Sequence, residues 1–355
     1  MKKLAFSLVA IVIVLLLVEA GARAYEAAQP RREMPLPLPG RATAAELAGM
    51  EARAAALRKD LPPVPLSADE ERGWGLPAGT VGMEGGVPVR YNSLGLRGPE
   101  VVPREPGEER LLTLGDSSIY GQAVPEDAVF SSVAAVALSK NWHRPVTAVI
   151  GGVPGYSSTQ ALALLKKLGQ RVSPTWVVIG TLWSDVYAGD ARGMEDEKNF
   201  LRKLAFYRVS VQLLSPWLSP QKVGYMQGRE DIGGQDGPPP RTSLDDYHKN
   251  LTEMVAEAKK IGARPAFIIL PAPMDFDKMP PPDVVESYRN QLRELAAQES
   301  APLLDGPALF EKAGGTVAHF GDQVHPNANG HMLLGTLLAD VIGQQSPVSL
   351  QGSSP

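Results

Sequence analysis

Beyond Arg110, short apolar runs alternate with longer segments of helical periodicity, and this alternation constrains the fold more than any other feature. Short apolar runs that end at Gly or Pro are typical of buried strands. Strands separated by helices favour a parallel sheet covered on both faces, an α/β fold. The predicted strands are Leu111–Leu114, Val146–Ile150, Trp176–Ile179 and Ala266–Leu270, with Pro302–Leu304 as a candidate fifth.

The clearest predicted helix runs from Leu244 to Ile261, where apolar residues recur on one face. Ser243 directly precedes it and is a favourable N-cap residue. A second apolar helical pattern covers Leu333–Ile342. Both helices follow segments that are rich in turn residues, as expected for connections in an α/β domain.

Composition limits the function classes. The 355 residues carry a net charge of -4 and include no cysteine, so disulfides, thiolate metal sites and a cysteine nucleophile are excluded. Mild acidity indicates no nucleic-acid partner, because such proteins normally present a basic face. The length suits one large α/β domain with appendages or two small domains.

The N-terminus predicts export. Lys2 and Lys3 precede an apolar run from Leu4 to Val18, and Ala22-Arg23-Ala24 follows Glu19. A positive start, an apolar stretch and small residues are typical of a secretory signal. We interpret residues 1–28 as a signal anchor or a cleaved signal peptide. Either way, the positive start stays cytoplasmic and the chain after about Ala24 is translocated.

The remaining organisation follows from composition. Pro30–Pro39 is typical of an extended spacer, and Ala44–Leu57 of a surface or stalk helix. A stretch from Tyr187 to Arg241 is too long for a simple connection and indicates an insertion. The predicted divisions are therefore a linker and stalk over 29–86, a catalytic domain over 87–345 with the insertion at 187–241, and a disordered tail over 346–355.

The insertion contains an apolar, helix-like piece, Phe200–Trp217. It is compatible with a lid over an acyl pocket, with contact to a bilayer, or with packing against the main domain. Packing is favoured because isolated apolar helices usually bury themselves.

A Gly115-Asp116-Ser117 sequence ends the first predicted strand. Ligands of parallel sheets gather outside the carboxyl ends of the strands. A serine that begins the following helix lies among free backbone N–H groups, which can stabilise an oxyanion. An ordinary helix cap is the simpler interpretation of this short motif, because Asp and Ser are preferred cap residues.

A second motif, near the C-terminus, favours catalysis. Asp322 and His325 are three residues apart in a Pro/Asn/Gly-rich loop. A serine hydroxyl needs a nearby base to attack at neutral pH, and histidine is the usual one; that histidine needs a carboxylate to fix its tautomer. This loop supplies both groups. His319 and His331, just before the loop and on the predicted helix, are expected to be structural.

In this order, the motifs resemble those of the SGNH (GDSL-type) hydrolase family, in its membrane-anchored bacterial form. The Val153–Ser157 segment matches the family's second block, and Arg90–Arg97 is similar to the lead-in of anchored members. The resemblance implies a three-layer α/β/α sandwich with a parallel, flavodoxin-like sheet. It also implies Ser117, Asp322 and His325 as the catalytic residues and no metal or organic cofactor. The oxyanion hole would use backbone N–H groups of Ser117 and Gly155.

The third block departs from the family pattern. Alignment of Asp185 places Ser184 where the family usually has an oxyanion-hole Asn. A serine donates a hydrogen bond but reaches less far than an amide. Loss of one such donor costs about 3–4 kcal/mol of transition-state stabilisation.

The sequence therefore predicts a serine esterase of the bacterial cell envelope. Its expected partners are an acylated small molecule, glycan or lipid, and a membrane contacted through the N-terminal helix. Two alternatives remain open: an O-acyltransferase that uses the same acyl-serine, and a catalytically weak scaffold or binding protein.

Overall fold

The predicted alternation of strands and helices builds a parallel sheet with helices on both faces. The computed structural model describes residues 14–25, 66–69, 71–84, 86–187, 204–206, 209–210, 239–276 and 281–345. The strands in these ranges are β1 (Ser67–Asp69), β2 (Gly73–Gly75), β3 (Val81–Glu84), β4 (Val87–Arg90), β5 (Glu109–Gly115), β6 (Val146–Gly152), β7 (Trp176–Ile179), β8 (Arg264–Ile269) and β9 (Leu303–Asp305).

The last five strands form the central sheet, in the order β6-β5-β7-β8-β9, and all of its pairs are parallel. In chain order this is 2-1-3-4-5, the flavodoxin-like arrangement. The predicted fold class is confirmed, including the fifth strand. The strand order reverses between β5 and β7, so a crevice is expected at their carboxyl ends.

Helices cover the sheet in two layers. They are α1 (Ser117–Tyr120), α2 (Phe130–Trp142), α3 (Ser158–Val172), α4 (Trp183–Val186), α5 (Leu244–Lys260), α6 (Asp283–Gln298), α7 (Gly306–Leu309) and α8 (Ala328–Gly343), with short 3-10 turns at Glu126–Ala128, Pro273–Phe276 and Val317–His319. The Ser243 hydroxyl accepts from the Asp246 N–H and caps α5, as predicted.

The core consists of two apolar clusters, one on each face of the sheet. Alternate residues of β5 point to opposite faces, as the pleat of a strand requires. Leu112 and Leu114 pack with α3, α5 and α6, whereas Leu111 packs with α2 and α8. The two helical layers are thereby fixed to the strands whose ends form the site.

The predicted linker ends earlier in the chain than expected. Residues 66–84, assigned to the linker 29–86, form the β1–β2 hairpin and most of the β3–β4 hairpin. Leu76 is buried in the same cluster as the catalytic domain's helices. The sequence shows no regular hydrophobic period here because turns interrupt the short strands. Gly73 and Gly86 both adopt the left-handed backbone conformation that turns of this kind need. We refer to residues 66–98 as the lead-in.

Several predicted segments lie wholly or partly outside the described residues: the first thirteen residues, the spacer and stalk, most of the insertion and the tail. Residues 14–25 are helical. Among the described residues, no helix has the length and apolar character needed to cross a bilayer. Where the insertion is described, Ala205 and Val209 pack against Ala22 of the N-terminal helix.

Candidate active site

The site begins where β5 ends. Gly115 allows the chain to turn tightly into α1, since a Cβ there would lie 2.4 Å from Ile119 Cγ1. Asp116 is the N-cap of α1, and its Oδ1 accepts from the Ser118 N–H at 2.9 Å. Ser117 is the first residue of the helix, so capping by Asp116 and exposure of Ser117 to the site are compatible.

Ser117, His325 and Asp322 form an unbroken chain of hydrogen bonds. Ser117 Oγ lies 2.7 Å from His325 Nε2, and His325 Nδ1 lies 2.7 Å from Asp322 Oδ2. Because a carboxylate only accepts, Nδ1 carries the ring hydrogen. Nε2 of the neutral ring is then free to accept from the Ser117 hydroxyl, the arrangement that a general base requires.

The loop that carries Asp322 and His325 is ordered by its own backbone. Asp322 Oδ1 accepts from the N–H groups of Val324 and His325, both at 2.9 Å. The Gly321 N–H donates to the His325 carbonyl at 2.8 Å, and Asn327 then caps α8. A spacing of three residues is sufficient to bring Asp322 to the His325 ring, because the Asp322 carboxylate also accepts from the backbone N–H groups of the same tight turn.

The electrostatics of this pair favour an ionised carboxylate. Burial alone raises the pKa of Asp322, but the hydrogen bond and charge of His325 and the two backbone donors outweigh it. The resulting pKa lies below its ordinary value. Asp322 is therefore suited to stabilise an imidazolium at His325.

Asp116 is a second important carboxylate that sequence reasoning treated only as a cap. Its Oδ2 accepts from the Ser184 N–H at 3.3 Å, so it links α1 to α4. Complete burial raises the pKa of Asp116, against the lowering effect of its backbone donors and of His325. The strand end after β7 is thereby held next to the strand end after β5.

The three predicted oxyanion-hole residues lie after three adjacent strands. Ser117 follows β5, Gly155 follows β6 and Ser184 follows β7. The Val153 N–H donates to the Gly115 carbonyl at 3.1 Å and joins two of these ends. The Ser184 hydroxyl is buried and has no hydrogen-bond partner among the described residues.

Asp185, next to Ser184, fixes α4 to the N-terminus of α3. Its carboxylate accepts from the Ser158 hydroxyl at 2.7 Å and from the Ser158 N–H at 2.9 and 3.0 Å. Burial raises the pKa of Asp185 to about 7, against these hydrogen bonds. Asp185 therefore holds α4, the helix that carries Ser184, against the N-terminus of α3.

The lead-in also contacts α1. The buried Arg97 guanidinium donates to the carbonyls of Tyr120 and Gly121 at 2.8 and 2.7 Å, and to that of Val124. These carbonyls lie at and beyond the C-terminal end of α1, where a cation is favourable. The sequence places Arg97 in the family-like segment Arg90–Arg97, but its contact with the helix that begins at Ser117 is visible only in the structure.

The other two histidines near the motif have structural surroundings. His331 is fully buried on α8, and its Nδ1 accepts from the Phe130 N–H at 3.2 Å. Burial, with the charges of Arg97 and His325, lowers the pKa of His331 to about 3. His319 Nδ1 accepts from the Thr316 N–H at 3.1 Å. In the part of the chain that the structure describes, no three His, Asp or Glu side chains are grouped to hold a metal.

Comparison with known proteins identifies one matching family. The model described as GDSL-like Lipase/Acylhydrolase family matches residues 113–333. No curated protein matches the sequence of this chain.

Three solved structures that match this chain are distant from it in sequence. LAE5, an alpha/beta hydrolase enzyme from the metagenome of Lake Arreo, is 15% identical, with a TM-score of 0.45, and covers 66% of this chain and 95% of its own. The R55A mutant of Axe2, an acetyl-xylooligosaccharide esterase from a Geobacillus species, is 18% identical, with a TM-score of 0.45 and coverage of 66% and 94%. A lipase/acylhydrolase from Enterococcus faecalis is 17% identical, with a TM-score of 0.45 and coverage of 67% and 98%.

Proposed function

The chain belongs to the GDSL-like lipase/acylhydrolase family and is a serine hydrolase, and we propose that Ser117 cleaves carboxylic esters, acetyl esters of a cell-envelope glycan or lipid among them, outside the cytoplasm. The observation that carries the assignment of Ser117 is its unbroken hydrogen-bond chain through His325 to Asp322. Two contacts of 2.7 Å join groups that are 208 and 3 residues apart in the chain.

The first half of the reaction transfers the acyl group to the enzyme. Ser117 Oγ forms a bond to the ester carbonyl carbon while its proton passes to His325 Nε2. The carbonyl oxygen becomes an oxyanion, and Asp322 stabilises the imidazolium. The bond to the alcohol oxygen then breaks, His325 returns the proton to the leaving alcohol, and an acyl-serine remains. In the second half, water attacks the acyl carbon with the same base and releases the acid.

The oxyanion requires donors that are already in place when its charge develops. The N–H of Ser117 lies at the first position of α1, where a helix supplies no partner of its own. Gly155 contributes a second N–H from the turn after β6. The buried Ser184 hydroxyl is the third donor in this proposal, and its lack of a partner among the described residues supports that role.

A small acyl group suits the access to the nucleophile. Ser117 is 8% exposed and His325 is 5% exposed, so the two groups proposed to react lie below the surface. This supports acetyl over long acyl chains.

Location outside the cytoplasm is supported by the N-terminal pattern. The apolar run after Lys2 and Lys3 continues into the helical residues 14–25. Side chains of Leu15, Leu16 and Leu17 on this helix are exposed, as a segment that meets lipid would present them. A reporter fused after Pro355 tests the side: activity only from a cytoplasmic-type reporter would contradict export. A mature protein that begins near Tyr25 would leave export intact and remove the anchor.

Hydrolysis of p-nitrophenyl esters by the full-length chain in detergent tests the activity and the acyl preference. Acetate should be cleaved faster than octanoate, and Ser117→Ala should abolish both reactions. Addition of a sugar acceptor separates water from a hydroxyl as the second nucleophile, since a transferase would yield an acylated sugar. Wild-type protein that is folded yet neither hydrolyses nor transfers would indicate a scaffold.

A further inference from the structure

The turn after β6 has a defined conformation that depends on residues far from it. The Val153 carbonyl accepts from the Tyr156 N–H at 3.0 Å, and Gly155 has a φ of 79°. With Pro154 at the second position and Gly155 at the third, this is a type II turn. A type I turn has the same end points, but its central peptide is rotated by roughly half a turn. The orientation of that peptide therefore needs to be held.

The central peptide joins Pro154 to Gly155, so the carbonyl of Pro154 and the N–H of Gly155 belong to one rigid plane and point in opposite directions. Trp74 Nε1 donates to this carbonyl at 3.0 Å, across 80 residues of chain. By holding the Pro154 carbonyl, the indole also fixes the direction in which the Gly155 N–H of the same peptide points. A hydrogen bond to the carbonyl also polarises the peptide and strengthens its N–H as a donor.

The next peptide, which joins Gly155 to Tyr156, is held by Arg241. Arg241 Nη1 donates to the Gly155 carbonyl at 2.7 Å, and its guanidinium carbon lies 5.8 Å from the centre of the Trp74 ring. The Tyr156 hydroxyl donates to the Trp74 carbonyl at 2.6 Å and ties the β1–β2 hairpin to the turn. Both peptides that flank Gly155 are therefore anchored by side chains.

From these contacts we propose that Trp74 and Arg241 are positioning residues of the oxyanion hole, which set the Gly155 N–H for the transition state. The inference rests on the proposed function, because it needs an oxyanion at that N–H. Neither residue touches Ser117 in this account; both act through the turn. Through Trp74, the lead-in, which precedes the matched family region, contributes to the geometry of the oxyanion hole.

Two substitutions at one position separate the donor from the bulk of the ring. Trp74→Phe keeps a large aromatic ring and removes the N–H. Trp74→His removes the six-membered ring, but the histidine Nε2 occupies the ring position of the indole nitrogen and can donate. We expect Trp74→Phe to lower kcat roughly tenfold, less than outright loss of an oxyanion donor, with little change in KM. Trp74→His should retain most of the activity.

The measurement uses the full-length chain in detergent, with p-nitrophenyl acetate and a trifluoromethyl ketone that mimics the tetrahedral adduct. Loss of ketone affinity should follow the loss of kcat/KM, since both depend on the oxyanion. Trp142→Phe, at the end of α2 in the other core cluster, is the matched control and should change neither quantity.

The opposite order, with Trp74→Phe active and Trp74→His impaired, would show that ring packing matters and the N–H does not, and would overturn the inference. Equal activity in both variants and wild type would also overturn it. If Trp74→Phe fails to fold, Arg241→Met tests the same turn, because it removes the donor to the Gly155 carbonyl: an unchanged kcat would contradict the proposal. A wild-type chain that neither hydrolyses esters nor binds the ketone would instead reject the proposed function.

Discussion

Residues 113–333 and the lead-in contribute to the site in different ways. The matched region supplies the groups that are proposed to react, Ser117, His325 and Asp322, within two short segments. The lead-in supplies Trp74, which donates to the Pro154 carbonyl, and Arg97, which donates to the Tyr120 carbonyl. The groups proposed to react lie in two short motifs, whereas two of the residues that orient the surrounding backbone, Trp74 and Arg97, lie outside the matched region.

The largest predicted effect comes from removing the groups that are proposed to react. His325→Ala and Asp322→Ala should each lower kcat by roughly 10⁴–10⁶, and the double variant should be little worse than either. The losses are non-additive because both residues serve one proton transfer. Steady-state kinetics on folded protein measure this, and losses that multiply in the double variant would mean that the two residues act in separate steps.

The lead-in should affect stability more than chemistry at Arg97. Arg97→Met leaves three carbonyls near the end of α1 without their donor, and the free energy of unfolding should fall by about 3 kcal/mol. The kcat of the protein that remains folded should fall far less than in His325→Ala. Urea denaturation measures the first quantity.

Arg104→Met is the matched control, because Arg104 is exposed and donates to one carbonyl, that of Glu108, at 2.9 Å. It should be nearly neutral. Equal destabilisation by the two substitutions would contradict a special role for Arg97.

The oxyanion side should be improvable at Ser184. Ser184→Asn restores the longer amide donor and should raise kcat by roughly 5–30-fold, about 1–2 kcal/mol, with little change in KM. Ser184→Ala should lower kcat, since it removes the buried hydroxyl. Kinetics with p-nitrophenyl acetate measure both. A folded Ser184→Asn enzyme with unchanged or lower kcat would show that the donor is already adequate or that the amide does not fit.

The smallest predicted effect is on the pH dependence of stability. Burial holds the pKa of His331 at about 3, below its ordinary value of 6.5, so the unfolded state binds more protons between these values. The stabilisation is complete above about pH 6.5 and is lost as the pH falls, by at most about 1.4 kcal/mol per pH unit. His331→Asn keeps an acceptor for the Phe130 N–H and removes the titration.

Denaturation between about pH 6 and pH 4 should therefore show a shallower loss of stability in His331→Asn than in wild type. Asp322 contributes in the same direction in both proteins, since its lowered pKa gives stability that is lost as the pH falls through it. If the free energy of unfolding depends on pH equally in the two proteins, His331 does not contribute to the loss of stability at low pH.

Much of the sheet was predictable because its strands are short apolar runs. The predicted strand Trp176–Ile179 has the observed bounds of β7. The β5 strand, however, begins at Glu109, two residues before the predicted Leu111. Glu109 and Arg110 are buried there because Glu109 pairs with Arg144 and Arg110 pairs with Glu108, and a pattern of apolar residues does not show which charges are paired.

The site divides in the same way. The positions of Ser117 and of the loop with Asp322 and His325 were predictable because each motif is a short, continuous segment whose conformation is fixed by its own hydrogen bonds. The role of Trp74 was not predictable, because its hydrogen bond to the Pro154 carbonyl crosses 80 residues and leaves no periodic signal in the sequence. The sequence indicates a cap at Asp116, and only the structure shows that the second carboxylate oxygen of Asp116 also accepts from the Ser184 N–H.

The identity of the nucleophile is the central claim, and labelling tests it most directly. The full-length protein should react with a fluorophosphonate once per chain, and peptide mass spectrometry should place the adduct on Ser117. Ser117→Ala should lose the label, and Ser118→Ala should keep it, because Ser118 uses its backbone N–H for the cap and its hydroxyl for the Val324 carbonyl. An adduct on Ser118, or a label that survives Ser117→Ala and disappears in Ser118→Ala, would contradict the account.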